Sequence, residues 1–212
     1  PAARITPSAD LEAFGGGQSF QQATNAIQSY VLEEKKKADD IATTDAYAKA
    51  VQARNKLVND PTQGLITLKG KNAIGASEKY GEMFNKEMDS IEGGLSNEDQ
   101  RLVFRKIRQT QSLDFNNDVQ RHVYGETQRY DQETTISAIA ASKDDAVQNY
   151  MNPGKVTEAI KIQGALMDAF GARNGMPIEL VEQKKREAIS NTHADVINRM
   201  INSDQDKLAK AY

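Results

Sequence analysis

The sequence predicts an all-α fold: elongated, with long helices that carry coiled-coil-like seams, a Gly-rich elbow between them, and helical pairs at the C-terminal end. Three observations carry this. Residues 18–60 and 95–152 run without proline, and the only glycine in either stretch is Gly125. Apolar residues in both recur at helical spacing. The composition is thin in core material, with 38% hydrophobic residues, 6% aromatic residues and no Trp. Long helices with narrow apolar stripes, completed by neighbouring chains, satisfy all three.

Residues 1–17 read as a flexible N-terminal arm, because Pro1, Pro7 and the run Gly15-Gly16-Gly17 oppose helix. A second reading keeps Ile5, Leu11 and Phe14 as apolar anchors that order the arm on a neighbouring subunit. Pro1-Ala2 resembles a start from which Met has been trimmed.

The long-helix domain is expected over 18–152. Phe20, Ile27, Ile41 and Ala48 share one seven-residue frame, in which Glu34 fills the intervening turn. Ala23, Tyr30, Val51 and Val58 lie three residues on, with Lys37 and Thr44 interrupting that second row. This is a coiled-coil-like seam on a helix of roughly 40 residues, or about 60 Å. Its charged waist, Glu33 to Asp40, reads as a solvated face with i,i+4 pairs such as Glu33–Lys37; acidic residues on both sides of Lys35-Lys36-Lys37 disfavour phosphate contact. Asp60-Pro61 closes the helix.

The elbow, 61–75, follows. Gly64, Gly70 and Gly75 permit tight turns, and Leu65, Ile66, Leu68, Ala73 and Ile74 are expected to pack onto the flanking helices. A helix over 76–92 then carries Tyr80, Met83, Phe84, Met88 and Ile91 on one face and stops at Gly93-Gly94. Ser96 with Asp99 resembles a capping box, and Leu95 sits where a hydrophobic staple would. They open a helix of roughly 50 residues, whose middle, 116–135, is too polar to bury much. Asn152-Pro153-Gly154 turns the chain into a helical-hairpin region, 153–212: helices over about 155–170 and 177–202, then a short one capped by Asp204. The product is expected to continue beyond Tyr212.

No catalytic set emerges. Gly64, five residues, then Gly70-Lys71-Asn72 is one residue too long for a P-loop and lacks its hydroxyl. His122 and His193, the only histidines, have no nucleophile motif beside them. Glu78 lacks the following Ser of a peptidoglycan-cleaving lyase. The chain has no Cys, which removes disulfides and thiolate metal sites. Net charge −3 and a pI near 5.5 give no blanket attraction to nucleic acid. No apolar run approaches the ~20 residues of a membrane span. We therefore expect a non-enzyme without metal or cofactor.

The order of these features resembles a family of bacteriophage virion proteins that serve as internal, tail or DNA-ejection components. The resemblance rests on the Ala/Lys-rich helix end from Ala46 to Leu57 and on the pattern Gly64, Leu65, Leu68, Lys69, Gly70, Lys71 and Ala73. It continues through Tyr80, Phe84, Ile91, Leu95, Asn97, Gln100-Arg101 and Phe104, and ends on Ala209 with Tyr212. It spans most of 18–212, and its motifs are structural. The resemblance implies a homo-oligomer, a ring or tube, at the tail or in the capsid interior of a virion. It would be made in the host cytoplasm, contact portal or tail components, and accompany transient DNA passage. The assembly candidates are Ile5, Leu11, Phe14, Phe20, Ile27, Ile41, Leu65, Leu68 and Ile74. The rival expectation is a cytoplasmic helical scaffold or adaptor that dimerises through a coiled coil.

Overall fold

The computed structural model describes residues 16–212, with side chains from residue 24 onward. Among them are six α-helices and no strand: α1 (Gly16–Asn59), α2 (Ala76–Gly93), α3 (Glu98–Gln148), α4 (Pro153–Arg173), α5 (Ile178–Ile201) and α6 (Asp206–Ala211). Two short 3-10 turns, Leu65–Thr67 and Gly70–Ala73, form the elbow. The chain makes two compact units. The first combines residues up to Gly64 with Glu78–Asp118, the second Leu65–Ser77 with Val119–Tyr212. The region read as one long-helix domain, 18–152, thus contributes to both units, and the hairpin region 153–212 lies within the second.

The first unit is held by a small aromatic core. Phe84 of α2 stacks on Phe115 of α3 with centroids 4.4 Å apart and planes 12° from parallel. Phe104, Met88 and Tyr80 are buried with them, as are Ala46, Ala50, Leu57 and Val58 of α1. Burying one such large side chain contributes roughly 1.5–3 kcal/mol, so three phenylalanines and a methionine account for much of this unit's cohesion. Polar clamps surround them. Asp39 of α1 accepts from Asn97 Nδ2 at 2.8 Å and Gln100 Nε2 at 2.7 Å. Arg54 reaches Asp114 at 2.7 Å, and Tyr80 Oη donates to the Gln63 carbonyl. Met83, expected on the buried face of α2, is exposed instead, because that face is narrow and Tyr80, Phe84 and Met88 fill it.

Helix ends follow local chemistry with two departures from expectation. The cap of α3 is Asn97, whose Oδ1 accepts the Gln100 N–H, while Gln100 Oε1 accepts the Ser96 N–H. The reciprocal cap therefore sits one residue later than Ser96/Asp99. A carboxamide pair can make both bonds and also donate to Asp39, which a Ser/Asp pair cannot. Asp204 does not cap α6; it adopts φ +58° in the turn that closes α5, where the Gln205 N–H returns to the Met200 carbonyl. Asn152 caps α4 by accepting the Lys155 N–H, with Pro153 at the first helical position.

In the second unit α4 and α5 form an antiparallel hairpin. Gly171 lies against Val181 near the turn, where an added Cβ would collide with the Val181 methyl. Thr192 Oγ1 donates to Gln163 Oε1 further along. The distal end closes on Val156, Ala159, Val196 and Met200, with Ala146 from α3 completing the cluster. Ser142 of α3 donates to the Ala159 carbonyl at 3.0 Å, and Lys143 pairs with Asp195 at 2.8 Å.

The elbow from Leu65 onward belongs to this unit and is fastened to the middle of α3. Leu65 and Ala73 are fully buried and Leu68 is half-buried, while Ile66 and Ile74 are exposed, contrary to the expectation that all five pack. Two successive 3-10 turns present side chains all round a tight loop, so only one side of it can face inward. The polar middle of α3 also departs from expectation, because Glu126 within it is 4% exposed. Its carboxylate accepts the Gly70 N–H at 2.9 Å and pairs with Arg129 at 3.0 Å and Lys69 at 3.4 Å. One turn earlier His122 Nε2 donates to the Leu68 carbonyl at 2.9 Å.

Candidate assembly surface

The most exposed apolar surface of a regular element lies on the first half of α1. Every residue from 25 to 38 is exposed, a length of about 21 Å of helix that no element among the described residues covers. It nevertheless carries Ile27, Tyr30, Val31 and Leu32, each more than half open to solvent, and Ile41 beyond them is 70% exposed. A free helix of this length is marginal in water, since tertiary packing normally supplies most of its stability. The Ala, Gln, Glu and Lys content sustains the helix, and the apolar residues are surplus to that need.

The geometry of α1 separates two faces. At 3.6 residues per turn, Ala46, Ala50 and Leu57, buried in the first unit, lie on one side. The seam positions Ile27, Tyr30, Glu34, Lys37, Ile41, Thr44 and Ala48 lie on the other, and all seven are exposed. Val31 projects between the two faces, and Leu32 lies on the side of Ala46, Ala50 and Leu57, above the part of α1 that the first unit covers. Tyr30 is hydrogen-bonded to Glu34, which holds its phenol above the ordinary value. Lys37 reaches back to Glu33 at 3.4 Å with both side chains largely solvated; such an exposed pair is readily exchanged for another. Thr44 Oγ1 donates to the Asp40 carbonyl at 2.7 Å, which satisfies its hydroxyl within the helix.

The residues singled out from sequence fall into separate places. Ile27 and Ile41 share the α1 seam. Leu65 is interior to the elbow, Leu68 is half-buried beside it and Ile74 is exposed on it. Ile5, Leu11 and Phe14 lie outside the described residues, as does the side chain of Phe20. Sequence reasoning missed Val31 and Leu32, which stand outside the two seam rows. It also missed Glu126: its local partner Arg129 makes only an ordinary i,i+3 pair, and the partners that bury it, Gly70 and Lys69, are more than fifty residues away.

A second concave feature is a groove of about 310 Å³ in the second unit, lined in part by Ile136, Ile139, Lys143, Gln163, Met167 and Thr192. At its base Gln163 is 1% exposed, and its Nε2 has no hydrogen-bond partner within the protein.

Among the described residues no cluster of three His, Asp or Glu is placed to hold a metal ion, and no helix is long and apolar enough to cross a membrane. Comparison with protein-family models, curated proteins and solved structures returns no match.

Proposed function

We propose that this chain is a non-enzymatic structural component of a bacteriophage particle, part of the tail or of the internal ejection apparatus, that works in multiple copies and assists genome delivery. The observation that carries the assembly half of this reading is the stretch of α1 that no described element covers, where Ile27, Tyr30, Val31 and Ile41 are exposed. Apolar side chains at coiled-coil spacing on a helix without a partner are the signature of a contact made by another chain. The particle half rests on the resemblance in the order of leader, Ala/Lys-rich helix, Gly64-to-Ala73 elbow and long polar helix. Portal or tail components are its partners on this reading, and the virion is its location.

A second reading, a cytoplasmic scaffold that dimerises through a coiled coil, draws support from the opposite charges of Glu34 and Lys37 within the α1 seam. Mass spectrometry of density-gradient-purified particles from the producing host, with sedimentation velocity of the isolated protein, separates the two. The particle reading expects peptides of this chain in stoichiometric, multi-copy amounts in the virion. Their absence from intact particles, with a discrete dimer in solution, overturns it in favour of the scaffold.

A further inference from the structure

We propose that α1 pairs with α1 of a second copy as a two-fold antiparallel coiled coil in one register, set by Glu34 facing Lys37 of the other copy. This deepens the assembly reading above and rests on it only in taking the α1 seam as a contact.

The argument is one of layers. In an antiparallel pair each residue of one seam row meets a residue of the other row. Placing Glu34 against Lys37 of the second copy brings Tyr30 against Ile41 and Ile27 against Thr44, and the two-fold axis repeats each layer. All six side chains are exposed on the side of α1 opposite Ala46, Ala50 and Leu57. Partner and core therefore do not compete for the same face. The Tyr30–Ile41 and Ile27–Thr44 layers lie above and below the two symmetry-related Glu34–Lys37 layers.

Alternatives fail on those two layers. A parallel in-register pair sets Glu34 against Glu34 and Lys37 against Lys37, two like-charged layers in the seam. Sliding the antiparallel pair by one heptad in either direction places Lys37 against an isoleucine, Ile27 or Ile41, and leaves Glu34 without a cation. The rim contact of Glu33 with Asp40 of the second copy is like-charged in the favoured register, but it stays in solvent where salt screens it. Lys37 gives up only its solvated bond to Glu33.

The absence of cysteine from the chain makes the test direct. Tyr30→Cys and Ile41→Cys variants of the full chain are oxidised separately and as a mixture. The expected result is a covalent dimer in the mixture and none from either variant alone. Ile41→Cys forming a dimer by itself overturns the antiparallel arrangement. In parallel, sedimentation equilibrium of Glu34→Lys and Lys37→Glu, both surface changes that spare the fold, is expected to show self-association weakened at least about tenfold in each. The double variant Glu34→Lys/Lys37→Glu should recover. Unaltered association of the single variants, or a monomer at every concentration, overturns the register. Failure here while the protein is still found in particles leaves the particle reading standing. Cross-linked α1 with no protein in particles leaves the pair standing without it.

Discussion

Glu126 carries the elbow. A carboxylate nearly removed from solvent is tolerable only when its oxygens are satisfied. Here the Gly70 N–H satisfies one and the cations of Arg129 and Lys69 compensate the charge. The Gly70 N–H, then the two cations, hold its pKa below the ordinary glutamate value. Gly70 is suited to the role because its φ of +52° lies in the left-handed region and Tyr130 stands against it. Glu126→Gln should keep an oxygen for the Gly70 N–H and lose only the charge, whereas Glu126→Ala leaves that N–H orphaned. Thermal melts should therefore rank wild type above Gln and Gln above Ala. Equal melting temperatures for all three would mean that the elbow is held by Leu65 and Ala73 alone. None of this was legible in the sequence, where Glu126 is one of many polar residues in a stretch judged unable to bury them. What identifies it is a contact across 56 positions, which neither periodicity nor composition encodes.

At the scale of the element, helix extents were legible and helix caps were not. Pro61, Pro153 and Pro177 act on the backbone through φ restriction and a lost donor, and Gly93-Gly94 through the poor helix propensity of glycine, so they mark boundaries whatever surrounds them. The expected breaks accordingly fall within a few residues of α1, α2, α4 and α5. Caps depend on side chains that have other suitors. Asn97 caps α3 and also binds Asp39, and Gln100 does the same from the third position. The choice of Asn97 over Ser96 is therefore made by a tertiary partner on α1. Replacing Asn97 by Ala should cost about 1 kcal/mol, within the usual 0.5–2 range for a lost cap. Ser96→Ala should be near neutral, since Ser96 contributes only its backbone N–H. Urea denaturation of the two variants checks this. A Ser96→Ala cost equal to that of Asn97→Ala would return the cap to the residue first expected.

The whole molecule combines two units whose cores differ in kind, one aromatic around Phe84 and Phe115, one of small and branched residues around Val196 and Met200. What they share is reliance on carboxylates that fasten one element to the next. In the first unit Asn97 and then Gln100 hold Asp39 below the ordinary carboxylate value, and the Thr62 hydroxyl and N–H do so for Asp60. In the second unit Glu126 is depressed by the Gly70 N–H, and Asp131 by Arg173 and then Asn174. A carboxylate with a lower pKa in the folded state than in the unfolded one binds fewer protons when folded. Stability then rises with pH across the interval between the two values. The contribution is complete above the unfolded values of about 3.9 for Asp and 4.3 for Glu, and it drains away as pH falls through the lower native values. Melting temperature should therefore be flat from about pH 7 to 5 and fall steeply below about pH 4. Amides of both units should lose protection together in acid, because each has depressed carboxylates of its own. In Glu126→Gln the acid-induced loss of protection should be shallower around the elbow and unchanged around Asp39. An identical acid profile at both places would show that Glu126 is not a group whose protonation loosens the second unit.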